Sequence, residues 1–279
     1  MEMPRPLWKG AISFGMVSIP VKLYTATEDK DIHFNMLHEK DLSRVRQKLV
    51  CAEEEVDIER DEVVKGYEIS PGRYVVLEDQ DFENVPVVTT HTIDITDFVD
   101  LKEIDPILYQ KTYYLEPEEI GMKPFALLMR ALEDTNRVAI AKVTLRQKEQ
   151  LCTLRIYEDT IALETMFYAD EIRSPKDLSV PGKDVKVSDK ELAMAKSLVD
   201  MLSSDAFDFA EYKDDYREAL MTVIRAKAEG ETIEAPQPAA AKITDLTEAL
   251  RASVEAVRRQ KKEPEPAGEE RPRARAKAS

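Results

Sequence analysis

The chain has 279 residues, a length that favours about two domains. It carries 55 acidic and 40 basic side chains, for a formal charge of −15. This balance argues at first against nucleic-acid binding, because polyanions are normally bound by basic domains. However, residues 51–120, which we call the acidic block, hold 20 acidic and 5 basic side chains and account for the whole excess. The basic residues outside the acidic block therefore have to be judged separately.

The composition also argues against a membrane or secreted protein. No apolar run approaches the roughly 20 residues of a membrane span, and the first residues lack the apolar core of a signal peptide. The two cysteines, Cys51 and Cys152, are too few for a disulfide framework and suit a reducing compartment. We therefore expect a cytoplasmic protein.

The first 170 residues are predicted to form mostly strands. Ser18–Thr25 alternates, with Ile19, Val21 and Leu23 on one face. Further strands are predicted at 73–77 after a Pro-Gly turn, 91–98, 112–115, 138–146, 151–157 and 161–167, with one helix at 124–134. Many strands with few βαβ alternations favour a β-barrel or sandwich followed by helices.

Helical signals follow the strands. Ser188, with Glu191 three residues further on, matches a capping box and predicts a helix over 188–201, and a second helix is predicted over 212–229. Every aromatic residue lies between Trp8 and Tyr216, so the packed core should end near residue 229. We predict a core of residues 1–229, a linker of 230–241 and a distal segment of 242–279.

The distal segment contains one clear amphipathic helix and ends in a short basic tail. Apolar residues recur at spacings of three and four and form one stripe, namely Ile243, Leu246, Leu250, Val254 and Val257. The segment itself offers little against which to bury this stripe. The helix is therefore expected either to dock on the core or to bind another protein.

Motifs for catalysis are missing from the sequence. It has no nucleophile elbow, no P-loop and no GxGxxG, and the carboxylates of the acidic block are interpreted as a solvated face. A zinc site built from His33, His38 and Cys51 is conceivable, but surface histidines are the favoured interpretation. We expect a protein without enzymatic activity, metal or cofactor.

Basic residues follow the alternation of two neighbouring predicted strands. Lys142 and Arg146 share the polar face of the first strand with Thr144, and Arg155 lies on the polar face of the second. The link 147–150 has the length of a hairpin connection and carries Lys148. Together these cations predict one basic patch on a sheet.

A second basic run alternates in the same way. Arg44, Arg46 and Lys48 place three cations on one side of an extended segment. Two interpretations fit both sets of cations: a solvated surface, or a sequence-independent track for phosphates that contacts only the nucleic-acid backbone.

Six segments follow one another in a distinctive order: RPLWKGAISFGMVSIPVKLY at 5–24, RVRQK at 44–48, KGYE at 65–68, YLEP at 114–117, VAIAKVTLR at 138–146 and YADEIR at 168–173. In this order they resemble segments of the bacterial Ku proteins. The resemblance runs from about residue 5 to residue 228 and weakly through the distal helix. Many relatives carry a second cysteine three positions after the first, where this chain has Glu54 after Cys51. No local disulfide or zinc site is therefore expected.

The resemblance implies a fold and a role. The fold would be a mixed β and α Ku core, in which a β-barrel carries an extended arm and flanking helices. Two copies would form a ring-shaped homodimer that threads onto double-stranded DNA ends. The role would be non-homologous end joining, with protection of the ends and recruitment and stimulation of an ATP-dependent DNA ligase. A second hypothesis is an acidic β-barrel interaction scaffold without DNA-end threading.

The resemblance and the charge pattern together yield site predictions. The DNA-binding candidates are Arg44, Arg46, Lys48, Lys65, Arg73, Lys142, Arg146, Lys148 and Arg155. Lys65 and Arg73 lie inside the acidic block, so each is either an intramolecular partner of a carboxylate or a DNA ligand. Leu246, Leu250 and Val254 are the candidate ligase-docking residues. The acidic block is expected to face mostly away from phosphates.

Overall fold

A computed structural model describes residues 5–85, 91–146, 148–182, 185–230 and 246–260. The chain divides into two compact units, residues 1–176 and 177–279. Nearly all of the predicted linker and the whole basic tail lie outside the described residues, as does Ile243 of the apolar stripe.

Eleven strands and five α-helices occur within the described residues. The strands are β1 Trp8–Phe14, β2 Val17–Thr25, β3 Leu49–Val50, β4 Asp57–Ile58, β5 Lys65–Ser70, β6 Arg73–Leu77, β7 Thr92–Val99, β8 Tyr109–Pro117, β9 Val138–Leu145, β10 Lys148–Tyr157 and β11 Thr160–Met166. The helices are α1 Asp79–Glu83, α2 Met122–Thr135, α3 Asp189–Leu202, α4 Asp215–Ala228 and α5 Leu246–Gln260. None of these helices is long and apolar enough to cross a membrane.

Seven strands close into a barrel in the order β1-β2-β8-β11-β10-β9-β7. Neighbours are antiparallel except at the closure, where β7 pairs in parallel with β1. The aliphatic residues predicted to share a face of β2 are all buried in the core, namely Ile19, Val21 and Leu23. The predicted β-barrel with flanking helices is thereby confirmed.

Helix α2 adds its own apolar face to the barrel core. Phe125, Leu128 and Leu132 recur at helical spacing and are buried in the same cluster as the inward side chains of the strands. Asn136 caps the C-terminal end of the helix with a left-handed φ of 50°. In this conformation backbone N–H groups at the cap donate to the carbonyl oxygens of Leu132 and Glu133 in the last turn. Phe125, at the edge of this buried face, also lines a cavity described below.

Between β2 and β7 the chain leaves the barrel in a long excursion, residues 26–91, which we call the arm. It holds the two small sheets β3–β4 and β5–β6 and the short helix α1. No described residue between Thr27 and Val85 is fully buried. Large apolar side chains such as Phe34, at 71% exposure, and Tyr67, at 66%, lie open in the single chain.

Strand β1 is not predicted by the sequence alternation, because Gly10 lies in its middle and glycine weakens strand propensity. The structure explains this glycine. A Cβ at position 10 would collide with the ring of Trp8 and with the carbonyl oxygen of His91. Gly10 therefore permits a close approach that any side chain would prevent.

The predicted link of residues 147–150 is wrong, because β10 already begins at Lys148. Leu145 pairs with Lys148, so only two residues remain between the strands. Such tight antiparallel turns use left-handed backbone, and Arg146 has a φ of +51°. Arg146 consequently lies in the turn and not on the polar face of β9.

The second unit contains α3, α4 and α5. Ser188 caps α3 and forms the predicted capping box with Glu191. Helix α5 packs against α3, and its Leu250 and Val254 are half-buried. Of the two expectations for the distal helix, packing within its own chain is therefore observed.

Candidate nucleic-acid interface

Three of the candidate cations lie in the arm without a carboxylate beside them. The backbone of Arg44 pairs with that of Leu37 in an isolated antiparallel β-bridge, and Arg46 follows two residues later. Arg73 is the first residue of β6. All three arginines are exposed. Among the described residues, no carboxylate lies within ion-pair distance of any of them. Their full positive charge is available to a ligand.

Arg146 occupies a cleft where the barrel meets the start of the arm. The cleft measures about 550 Å³, and Lys111 lines it together with Arg146. Glu28 and Asp29 also line it, so the cleft is of mixed charge. Arg146 itself forms no ion pair within the described part of the chain.

Lys111 joins Arg146 in this cleft, and the sequence interpretation missed it. The strand was predicted to begin at Thr112, whereas β8 begins at Tyr109 and includes Lys111. The extended alternation of residues 109–117 is the signal that would have placed Lys111 on a strand beside the candidates.

In the arm, two candidate lysines already contact carboxylates. Lys48 forms an ion pair with Asp57. Lys65 lies 3.4 Å from Asp79 and its ammonium lies 4.5 Å from the centre of the Phe82 ring. Of the two roles expected for Lys65, that of an intramolecular partner is therefore the one that the contacts favour. These exposed pairs contribute little to stability, so a competing anion can displace the carboxylate at small cost.

The two candidate lysines on the barrel strands are paired as well. Lys142 donates to Glu149 at 3.1 Å, and Lys148 donates to Glu171 at 2.7 Å. These hydrogen bonds raise the pKa of both lysines above the ordinary value. Both lysines stay charged at neutral pH, but each has a carboxylate next to it that repels phosphate.

Arg155 is held more firmly than any other candidate. Its Nε donates to one oxygen of Glu164 at 3.0 Å, and its Nη2 donates to the other at 2.6 Å. The Glu164 side chain is only 9% exposed, and that of Arg155 is 27% exposed. The hydrogen bond to Glu164 raises the pKa of Arg155. A bidentate, largely desolvated pair of this kind fixes the guanidinium in place.

The residues of the conceivable zinc site do not assemble. Within the described ranges, no three or more His, Cys, Asp or Glu side chains are placed to hold a metal ion. His33 and His38 are exposed, and His38 Nδ1 lies 2.9 Å from a carboxylate oxygen of Asp41. Cys51 is half-buried in the arm.

Comparison with known proteins gives concordant matches. The family model of the Ku70/Ku80 beta-barrel domain matches residues 13–194. The chain is 44% identical over 270 residues to the non-homologous end joining protein Ku of Heliobacterium modesticaldum, covering 96% of this chain and 98% of that protein. It is 42% identical to the protein of that name from Archaeoglobus fulgidus, covering 91% of this chain and 100% of the relative.

One further relative is substantially longer. The non-homologous end joining protein Ku of Frankia casuarinae is 46% identical over 256 residues, which cover 91% of this chain and 64% of that protein. Among solved structures, the SPOC domain of human PHD-finger protein 3 is similar at a TM-score of 0.29 and 13% identity, over 58% of this chain and 95% of that chain. A similarity at that level carries no argument.

Proposed function

The chain belongs to the Ku family, and from this premise we propose that it binds the ends of double-stranded DNA in non-homologous end joining. The observation that carries the proposal is the match to relatives of that name along nearly the whole chain. The arm supports it physically, because it carries three arginines without carboxylate partners among the described residues. Binding to the phosphate backbone needs such cations and no base-reading helix.

We propose that the binding unit is a ring-shaped homodimer. The arm exposes a series of large apolar side chains in the single chain, and exposed apolar surface on this scale marks an interaction site. A two-fold interface buries the same surface on both copies and closes a ring. An extended stretch of ~15 residues spans ~50 Å, which is long enough to pass around a duplex.

The free arginines are proposed as the main phosphate contacts. Arg44, Arg46, Arg73 and Arg146 have their charge available, whereas Lys48, Lys65, Lys142 and Lys148 would first have to release a carboxylate. We assign Arg155 a structural role, because its guanidinium is engaged by Glu164. The acidic block is proposed to face mostly outward and to discourage side-on binding by repulsion.

We propose that α5 takes part in recruiting an ATP-dependent DNA ligase. Its residues Leu250 and Val254 are half-buried where α5 packs against α3, so the ligase would contact the two helices as one surface. Leu246 remains a docking candidate on the same stripe. We place the protein in the cytoplasm with the nucleoid and assign it no enzymatic activity of its own.

Deletion of residues 242–279 tests the ligase proposal. The deletion should leave the affinity for blunt duplex unchanged and should lower the stimulation of ligation. Leu250→Glu should have the same effect, and Glu248→Gln, on the exposed side of α5, serves as its matched control. Unchanged stimulation in both the deletion and Leu250→Glu would leave α5 with a purely structural role.

The salt dependence of blunt-duplex binding tests the DNA proposal against the scaffold hypothesis. Each lost phosphate contact makes the plot of log affinity against log salt less steep by ~0.9. A substitution removes the contact from both copies of the homodimer, so Arg44→Gln and Arg46→Gln should each reduce the steepness by up to ~1.8. Arg217→Gln, which changes an exposed arginine of α4, should not. An acidic scaffold predicts no salt-dependent binding to begin with, and that result would contradict the proposal.

A further inference from the structure

A preformed cavity lies beside α2 and is separate from the candidate cations. It measures about 720 Å³ and lies between α2, the neighbouring strands β2 and β8, and the β10–β11 turn. Ligand pockets typically measure ~300–1,000 Å³. None of the candidate DNA-binding residues lines it.

One wall of the cavity is apolar and comes from α2. Met122, Phe125 and Met129 lie at spacings of three and four and line the cavity together with Ala126. Phe125 is buried at 4% exposure, whereas Met122 is 57% exposed at the mouth. The wall is thus fixed at its base by the barrel core and open at its mouth. Such a surface offers apolar contact to a bound side chain.

The opposite wall consists of aromatic and polar groups that are held in place. The Tyr24 hydroxyl donates to Oε2 of Glu116 at 2.6 Å, and Lys22 contacts the same oxygen at 3.4 Å. Tyr114 stacks on Tyr157 with ring centres 5.6 Å apart. Because Glu116 is satisfied by Tyr24 and Lys22, its charge is already compensated.

One carboxylate without a cationic partner lines the cavity. It is Asp159, which follows Glu158 in the β10–β11 turn. Among the described residues, no cation lies within ion-pair distance of Asp159. The Asp159 side of the cavity therefore favours a cation and repels phosphate.

We propose that this cavity docks a short segment of a partner protein that inserts one aromatic or aliphatic side chain and presents a lysine or arginine to Asp159. The apolar wall accounts for the anchor, and the unpaired carboxylate of Asp159 accounts for the cation. The same carboxylate disfavours nucleic acid as occupant, because it repels phosphate. The proposal stands independently of DNA-end binding.

Two fluorescein-labelled hexapeptides provide the probes. Both carry one Phe between Gly residues, flanked by Lys and Arg in the basic peptide and by Glu in the acidic peptide. Fluorescence anisotropy with the full chain should give at least tenfold tighter binding of the basic peptide. Asp159→Asn should weaken that binding ~2–5-fold at low salt, the range expected for one exposed charge pair. Asp97→Asn, an exposed carboxylate on β7, is the matched control and should have no effect.

Filling the cavity is the second arm of the test. Ala126→Trp should abolish binding of the basic peptide while the thermal unfolding profile and the sedimentation coefficient stay those of the parent. Should Ala126→Trp fail to fold, Met122→Ala at the exposed mouth should still weaken binding.

Equal affinity for both peptides, or no loss of affinity for the basic peptide in Asp159→Asn, would overturn the proposal. So would a change of oligomeric state in the filled variant, which would assign the cavity to contact between copies. Blunt-duplex binding, measured in parallel, reports separately on the proposed function.

Discussion

Replacing Arg155 with methionine separates a structural role from a DNA-binding role. Methionine keeps much of the side-chain volume but removes the guanidinium that meets both oxygens of Glu164. Glu164 is then left with the Thr153 hydroxyl at 3.5 Å as its remaining described hydrogen-bond donor. Because Thr153 is fully buried and the Glu164 side chain is only 9% exposed, water replaces the lost partner poorly.

The size of the effect follows from the burial of the pair. Removing one partner of a buried ion pair costs ~3–5 kcal/mol. The Arg155 side chain is 27% exposed, so solvent screens part of the interaction, and we expect a loss of ~2 kcal/mol in the free energy of unfolding. For a unit of this size, that corresponds to a fall in Tm of ~4–8 °C. The affinity for blunt duplex, measured at a temperature where the variant is folded, should be unchanged.

Differential scanning calorimetry and a mobility shift on blunt duplex together provide the readout. The double variant Arg155→Met with Glu164→Leu should recover much of the lost stability, because replacing both charges by apolar groups removes the buried orphan. Arg146→Gln serves as the opposite control, with weaker DNA binding at unchanged Tm. An Arg155→Met protein with the parental Tm and weakened DNA binding would refute the reasoning and return Arg155 to the DNA contacts.

Three further predictions follow from individual contacts. Tyr24→Phe should raise the pKa of Glu116 towards its ordinary value, because the hydrogen bond from the Tyr24 hydroxyl is the main cause of its depression, with Lys22 contributing. Glu116 stabilises the fold at pH values above its unfolded-state pKa, and this stabilisation is lost as the pH falls through its folded-state pKa. The stability difference between parent and variant should therefore shrink in acid; carboxyl NMR titration checks the pKa, and pH-dependent unfolding checks the stability. Gly10→Ala should cost ~1–3 kcal/mol, the usual effect of overpacking, since its Cβ meets Trp8 and the His91 carbonyl oxygen; urea unfolding with Gly66→Ala as a control, a strand glycine whose added Cβ would lie at ordinary contact distance from Tyr74, separates this clash from the general effect of adding a methyl group. Ser188→Ala should lower the stability of the second unit by ~1 kcal/mol through loss of its capping box, and an unchanged denaturation midpoint would contradict this.

The barrel strands were largely predictable because alternation is a local property. Residues that alternate between core and outside, as in β2, carry the pattern in their own sequence. The two-residue strands β3 and β4 carry no such pattern. They form where the arm folds back on itself, which a local pattern cannot indicate.

The pairing of the candidate cations was not predictable, because it depends on strand register. Glu164 neutralises Arg155 only because β11 pairs with β10 so that Thr153 lies opposite Glu164. Glu149 reaches Lys142 because β10 begins at Lys148. A sequence shows that cations alternate, but it does not show which carboxylate lies on the neighbouring strand. The packing of α5 on α3 is non-local in the same sense.

The most direct test of the central claim, encirclement of a DNA end, is retention on DNA whose ends are removed after loading. The protein is bound to linear duplex, the duplex is closed by ligation, and the sample is challenged with high salt. A threaded ring should stay on the circle, leave when a single cut reopens it, and fail to load on duplex that was closed beforehand. Equal loading on the pre-closed circle, with release by salt alone, would contradict the account.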